Sequence, residues 1–351
     1  MPHSKYGKYV SKEIIWESKY KEITCPTAYY RGCPGGGDAI EAEYSPITSP
    51  LTMDQEPELD AERDRFLLFS SANIHDGTEF EAECEIAVGP KGTKFVIDKP
   101  TLVYLPKGTW HGPVTVKKVK KPFALLDWSL QPELSTPWVA PDDSGYVIDF
   151  LKGGGSLLDV VHAGADMPPD VVAIHPPDIP FRYGRMVLGT GLTYLLWGAD
   201  LGIPAKASWA SMATFHRDYC YLEPFHAHRR SHQVSMYLGG NPLDIEDFDA
   251  EMDVYFGKER ERHTLKTSGV VHYVPGIPHM GDEIREVNQP FLHIMWVVGP
   301  EMEHYYKAAP TDKVQFGNEW NGDIMITPGA QDYVPPTPID EWVWPYPDEQ
   351  R

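Results

Sequence analysis

The sequence is poor in cysteine, and this shortage excludes two classes of protein. Among its 351 residues there are only four cysteines, and no two of them form a C-x-x-C pair. Scattered thiols of this kind fit neither a zinc ribbon nor a secreted disulfide framework. The sequence allows a disulfide between Cys25 and Cys33, but we expect reduced thiols.

Positive charge and long apolar runs are also scarce. Lys and Arg total 31 against 51 Asp and Glu, which gives a formal net charge of −20. An acidic surface repels phosphate backbones, so we expect no nucleic-acid partner. No run is long enough to span a bilayer, and the first residues contain no apolar signal-peptide core. We therefore expect a cytoplasmic protein without a membrane partner.

Helical periodicity is weak throughout the chain. Only residues 58–65, 156–162 and 300–308 offer modest helix candidates. In contrast, 33 prolines and 30 glycines interrupt short runs of Val, Ile, Tyr and Phe. Short apolar runs between turn residues are typical of β-strands. The sequence therefore predicts an all-β protein.

An internal duplication organises the sequence. Residues 80–89, 105–111 and 121–128 resemble residues 248–257, 274–279 and 289–296. The ends of the three pairs are each 168 positions apart: Gly89 and Gly257, His111 and His279, Trp128 and Trp296. Chance similarity between β-rich segments would not keep one register over about fifty residues.

The duplication predicts the domain organisation. Residues 1–140 form the first copy and residues 185–305 the second. Residues 141–184, rich in Gly and Pro, form a connector. The tail, residues 306–351, is rich in Pro and Trp, and we expect it to dock on the body of the protein.

The second copy contains a candidate metal site. His226 and His228 are two residues apart, so in a strand their side chains share one face. Gln233 follows five residues after His228, and His279 lies just after a Pro-Gly turn. In a small barrel these four side chains can meet inside, because inward residues alternate along every strand. Three imidazoles and an amide oxygen suit one divalent transition metal ion: Mn, Fe, Co, Ni or Zn.

These residues resemble the two motifs of the cupin superfamily, Gly-x5-His-x-His-x(3–4)-Glu-x6-Gly and Gly-x5-Pro-x-Gly-x2-His. The first is met by His226, His228, Gln233 and Gly240, and the second by Gly269, Pro275, Gly276 and His279, one residue short. The first copy keeps the second motif at Pro106, Gly108 and His111. The resemblance covers about two-thirds of the chain and implies a bicupin with two jelly-roll barrels. Cupins include many kinds of enzymes and some non-enzymatic binders, so the motifs specify the fold more strongly than the reaction.

The first copy departs from the motif at the ligand positions. Its register places Glu58, Asp60 and Arg65 opposite His226, His228 and Gln233. An arginine at a ligand position would repel a metal cation. We therefore predict a metal-free first barrel, in which His111 is a hydrogen-bonded core histidine.

Several further residues are candidates for a role in the metal site or in catalysis. His232 is an alternative to Gln233 as the third ligand, although strand alternation turns neighbouring side chains to opposite faces. Tyr237 is in phase with Gln233 and is a candidate for substrate orientation or proton transfer. His293, on the strand that follows His279, is a candidate for supporting the ligands or carrying a proton. Arg217 or Arg230 are candidates for clamping a substrate carboxylate.

Gln233 stands where the cupin pattern has Glu, which changes the charge of the site. A neutral amide leaves the full charge on the metal and favours Lewis-acid chemistry. Our leading hypothesis is a metal-dependent enzyme for ring opening, C–C hydrolysis or isomerisation of a cyclic 1,3-diketone, keto acid or sugar acid. The alternatives are a mononuclear Fe(II) dioxygenase that cleaves a phenol or diketone, and a non-catalytic small-molecule-binding bicupin. We expect a homodimer in each case.

Overall fold

The computed structural model describes residues 4–33, 37–73, 79–135, 140, 142–149, 194–197, 207–214, 220–221, 226–228, 232–257, 259–289, 291–298 and 305–306. Nearly all of this part of the chain is strand or turn, with two short 3₁₀ helices at Gly7–Tyr9 and Asp143–Tyr146. Within these residues, no helix has the length and hydrophobicity needed to cross a membrane. The predicted all-β class is confirmed.

The strands fall into two runs along the chain. The first run contains β1 Val10–Ser11, β2 Ile15–Trp16, β3 Thr27–Cys33, β4 Gly37–Ile47, β5 Leu51–Met53, β6 Arg65–Ser71, β7 Ala82–Val88, β8 Thr93–Ile97, β9 Thr101–Leu105, β10 His111–Val119, β11 Phe123–Leu130 and β12 Val147–Asp149. The second run contains β13 Tyr194–Trp197, β14 Ala207–Thr214, β15 Cys220–Tyr221, β16 His226–Ala227, β17 His232–Gly239, β18 Ala250–Phe256, β19 Glu261–Leu265, β20 Gly269–Tyr273, β21 His279–Val287, β22 Phe291–Val298 and β23 Tyr305–Tyr306.

The first barrel is a jelly roll. One sheet has the order β12-β9-β6-β11-β4-β3-β2 and the other the order β5-β10-β7-β8. The central strands of the first sheet therefore alternate with those of the second sheet along the chain, as two interleaved Greek keys require. Apolar side chains from both sheets fill the space between them, among them Leu67, Phe69, Ile86, Val103 and Leu125.

The second barrel repeats this topology. Its sheets have the orders β1-β20-β17-β22-β14-β13 and β19-β18-β21-β16-β23, and β15 also pairs with β21. Five strands of one barrel have the same bounds as five strands of the other when 168 is added: β7 and β18, β8 and β19, β9 and β20, β10 and β21, β11 and β22. The duplication read from the sequence is therefore a duplication of the fold.

The two barrels pack through the sheet that contains β6 in the first barrel and the sheet that contains β17 in the second. Phe66, Leu68 and Trp128 of the first barrel share one apolar core with Met236 and other residues of the second. The rings of Trp128 and Trp296, which correspond in the duplication, lie 6.2 Å apart. A residue that meets its own counterpart marks a two-fold axis, so the two copies are arranged like the halves of a symmetric dimer.

An N-terminal arm connects the predicted first unit with the second barrel. Val10 and Ser11 pair with Val271 and Val270 of β20. The Lys5 ammonium lies 2.8 Å from the Glu259 carboxylate, and the ring of Tyr6 stacks on Phe256. Residues 4–11 thus extend the second barrel, although the sequence pattern assigned residues 1–140 to the first.

Two helix predictions are wrong where the structure describes the chain. Glu58 pairs with His111 through two backbone hydrogen bonds of 2.9 Å, and β6 begins at Arg65. The predicted helix at residues 300–308 contains β23 instead. Residues 156–162 and 307–351 lie outside the described part of the chain. Cys25 is a free thiol, so it forms no disulfide with Cys33.

Candidate metal site in the second barrel

Strand β17 directs its side chains alternately into the second barrel and toward the first. Val234, Met236 and Leu238 belong to the core shared by the two barrels. Because strand side chains alternate, Gln233, Ser235 and Tyr237 occupy the opposite face, inside the second barrel. Ser235 and Tyr237 have no exposed surface, and 3% of Gln233 is exposed.

Gln233 contacts His228 inside this barrel. His228 Nε2 lies 2.7 Å from Gln233 Oε1, within hydrogen-bond distance. The amide nitrogen of Gln233 donates to Ser235 Oγ over 3.5 Å. The hydroxyl of Ser235 therefore helps to orient the amide with its oxygen toward His228.

His279 reaches the same place from the facing sheet. Its ring lies 5.2 Å from that of His228, and its Nδ1 lies 2.9 Å from the carbonyl oxygen of Ile277. A carbonyl only accepts, so Nδ1 carries the proton and the lone pair is on Nε2. His226 pairs with His279 across strands β16 and β21, but its side chain lies outside the described residues.

The chemistry of this donor set fits a divalent transition metal. Imidazole nitrogens and an amide oxygen are neutral ligands that such ions accept, and the backbone bond to Nδ1 fixes a ligating histidine in the usual way. Two ligands at about 2.1 Å and right angles are about 3 Å apart, close to the separation of His228 Nε2 and Gln233 Oε1. Among the side chains that the structure describes, no three His, Cys, Asp or Glu residues cluster tightly enough to hold a metal ion without help from Gln233 or His226.

His232 faces away from this donor set. Its Nδ1 lies 3.0 Å from Nε2 of His272, whose Nδ1 lies 2.9 Å from the hydroxyl of Tyr30. This chain of polar groups, in which His232 is partly buried, belongs to the contact between the barrels. Burial lowers the pKa of His232 to about 4, so the ring is neutral at pH 7. The geometry therefore favours Gln233 over His232 as a partner of His228.

Tyr237 and His293 form a separate pair. Their rings stack at 4.4 Å, and the residues are cross-strand partners. Tyr237 is four residues beyond Gln233, about 14 Å along an extended strand. Burial lowers the pKa of His293 to about 3, which keeps its ring neutral at pH 7. A group with this pKa is poorly matched to proton transfer near neutrality. The catalytic roles proposed for both residues stay predictions.

The burial of His293 predicts a loss of stability in acid. Above pH 6.5 the ring is neutral in the folded and unfolded chains. As the pH falls below this value the unfolded chain binds a proton, whereas the folded chain does not until about pH 3. The free energy of unfolding should therefore fall by up to about 1.4 kcal/mol per pH unit. Urea denaturation at several pH values should show a shallower fall for His293→Phe.

A matched control for this variant is His263→Gln. Burial also lowers the pKa of His263, but the carboxylate of Glu261 lies 2.9 Å from its ring and opposes that effect. Its replacement should change the pH dependence less. Equal slopes for the wild type and His293→Phe would contradict the assignment of the acid loss to His293.

Tyr273 is a site residue that the sequence did not reveal. Its ring stacks on His279 at 4.1 Å, it pairs with Gln233 across strands β20 and β17, and it is fully buried. Leu105 is its counterpart in the first barrel, so an aromatic residue at this position distinguishes the two copies. That difference was the signal available in the sequence.

The position of the first barrel that corresponds to Gln233 holds an arginine, Arg65, in an ion-pair cluster. The guanidinium of Arg65 contacts Asp54, Glu58, Asp127 and Nε2 of His111. Burial alone would lower its pKa, but these carboxylates hold the pKa well above its usual value. Burial and the arginine charge lower the pKa of His111. As expected, His111 is a buried, hydrogen-bonded histidine.

Comparisons with known proteins give no family for this chain. No family model and no curated protein matches it. Among solved structures, AerE from Microcystis aeruginosa is similar at 9% identity and a TM-score of 0.46, covering 83% of this chain and 99% of that one. A Bacillus subtilis oxalate decarboxylase is similar at 10% identity and 0.47, covering 83% and 78%. Hazelnut vicilin, from Corylus avellana, is similar at 12% identity and 0.47, covering 83% and 85%. Similarities this distant carry no conclusion about activity. Arg217 and Arg230 lie outside the described residues.

Proposed function

We propose that this chain is a metal-dependent enzyme whose second barrel binds one divalent transition metal ion. The observation that carries the proposal is the meeting of His228, Gln233 and His279 in a buried barrel interior. His226, cross-strand partner of His279, would supply a fourth ligand. The ion would act as a Lewis acid that polarises a substrate carbonyl or enol oxygen or lowers the pKa of bound water.

The residues around the ligands define what the site does with a substrate. The donors of His228, Gln233 and His279 are neutral, so an anionic oxygen of a keto acid, sugar acid or 1,3-diketone meets no ligand carboxylate. The ring of Tyr273 covers one face of His279 and shields it from water. We therefore infer a non-redox reaction of a small oxygenated molecule: ring opening, C–C hydrolysis or isomerisation.

The test combines metal analysis with assays of turnover. We expect about one equivalent of a divalent transition metal per chain in the purified protein. A panel of cyclic 1,3-diketones, keto acids and sugar acids should yield turnover that a chelator abolishes and anaerobic conditions do not change. Stoichiometric oxygen uptake with bound iron would instead establish the dioxygenase alternative. Ligand binding without turnover across the panel would establish a non-catalytic binder.

A further inference from the structure

The first barrel holds a cation where the second barrel has its proposed metal site. Arg65 and Gln233 are counterparts in the duplication, and they lie at the starts of β6 and β17. His111 and His279 are counterparts in the same register. In both histidines Nδ1 donates a hydrogen bond to the backbone carbonyl oxygen two residues earlier, that of Thr109 for His111 and that of Ile277 for His279. Thr109 and Ile277 are also counterparts in the duplication. Both therefore have their lone pair on Nε2.

In the first barrel that lone pair meets the arginine. Nη1 of Arg65 lies 2.9 Å from Nε2 of His111, and a guanidinium can only donate, so the histidine accepts. The same Nη1 donates to Glu58 at 2.8 Å, and Nη2 donates to Asp54 at 3.0 Å and Asp127 at 2.7 Å. Nε donates to Asp127 at 3.0 Å. All five N–H groups of the guanidinium are thus engaged by oxygen or nitrogen atoms that could also ligate a metal ion.

We propose that the guanidinium of Arg65 takes the place of a metal ion in the first barrel. Around the guanidinium, His111, Glu58, Asp54 and Asp127 are not close enough together to form a metal site. Once the guanidinium is removed, they would close around a divalent cation. The side chain of Arg65 is only 15% exposed, so these groups surround a charge that hardly contacts solvent. A cleft of about 840 Å³, whose walls include Glu58, Arg65, His111 and Asp127, would give an ion access from solvent. The first barrel would then keep its cation whatever the metal supply.

The experiment removes the arginine and measures metal in the intact chain. All variants are made on a His279→Ala background, so that the second barrel contributes as little metal as possible. The comparison between backgrounds rests on the proposed function, but the gain caused by the arginine change does not. After incubation with Zn²⁺ or Mn²⁺ and desalting, Arg65→Gln/His279→Ala should retain about one equivalent more metal than His279→Ala. Adding His111→Ala should remove this gain.

Two further variants control for charge and for folding. Arg63→Gln removes a neighbouring arginine that contacts Asp60 and Glu41 but not His111, and it should gain no metal. Arg65→Gln/Asp127→Asn removes one positive and one negative charge, which keeps the net charge of the cluster and relieves repulsion among the carboxylates. It should also bind metal, with a melting temperature that rises on addition of Zn²⁺.

The outcomes separate this inference from the proposed function. The inference would be overturned if the Arg65→Gln variants fold but retain no more metal than His279→Ala. It would also be overturned if the gain in metal persists when His111→Ala is added. Failure of both Arg65→Gln variants to fold even when produced with added Zn²⁺ would also overturn it, because an ion held by these ligands would stabilise the barrel. Metal retained by His279→Ala alone would count against the second-barrel site and leave the first-barrel comparison intact.

Discussion

Replacing His279 by alanine should abolish metal binding by the second barrel and leave the fold intact. The imidazole lies beside His228, and its Nδ1 bond to Ile277 directs the Nε2 lone pair toward the barrel interior. Alanine removes one ligand of a small set, and metal affinity should fall by more than the roughly 10- to 100-fold that loss of an orienting group costs. Elemental analysis and calorimetric titration with Zn²⁺ or Mn²⁺ would measure the change, and the β-sheet circular dichroism should persist.

Neighbouring residues of β17 provide matched controls for this prediction. Gln233→Ala should weaken metal binding, because the amide oxygen lies 2.7 Å from His228 Nε2. His232→Ala should retain the metal, since His232 contacts His272 at the contact between the barrels. The two variants remove adjacent side chains on opposite faces of one strand, Gln233 buried and His232 partly buried. Loss of metal in His232→Ala with retention in Gln233→Ala would reverse the ligand assignment, and a full equivalent of metal in His279→Ala would refute the site.

The duplication made the fold accessible to prediction from sequence. A Gly at the end of β7 and β18 and a Pro before β11 and β22 mark strand ends in both copies, so one register could be read from local turn residues. The structure keeps that register through β7 to β11 and β18 to β22. Strand alternation then placed Gln233, Ser235 and Tyr237 together on the inner face of β17, where the packing of Val234 and Met236 on the opposite face agrees.

Contacts between distant parts of the chain were not accessible in this way. The N-terminal arm pairs with β20 although some 260 positions separate them, and nothing local in residues 4–11 specifies that edge. Tyr273 looked like one more strand aromatic, because its stacking on His279 depends on how β20 and β21 face each other. The helix predicted at residues 58–65 gave way to a backbone bridge with His111, since tertiary pairing overrides a weak helical preference.

The register also showed that Arg65 occupies a ligand position, but not what surrounds it. Asp127 is far from Arg65 in sequence, and the pairing of β6 with β11 brings it close. Asp54 follows β5, which belongs to the other sheet of the barrel. The sequence therefore indicated repulsion of a metal ion, whereas the structure shows a charge that is fully compensated by carboxylates. Repulsion of a metal ion alone would give Arg65 no structural role. Compensation of its charge by carboxylates implies instead that Arg65 is important for the stability of the first barrel.

Replacing Arg65 by methionine should destabilise the first barrel strongly. The variant leaves the carboxylates of Asp54 and Asp127, whose side chains are 8% and 30% exposed, without the cation that both contact. Removal of one partner from a buried ion pair costs about 3–5 kcal/mol, because the remaining charge is uncompensated. Urea denaturation at pH 7 should show this loss of free energy of unfolding in the transition that reports the first barrel.

The matched control is Arg63→Met. The side chain of Arg63 is 34% exposed and pairs with Asp60 and Glu41, so its loss should cost at most about 1 kcal/mol. The double variant Arg65→Met/Asp127→Met, which gives Asp127 the residue of its counterpart Met295, should recover part of the stability, since it removes one of the two stranded charges. A loss for Arg65→Met no larger than for Arg63→Met would show that the cluster is solvated and that Arg65 does not hold the first barrel together.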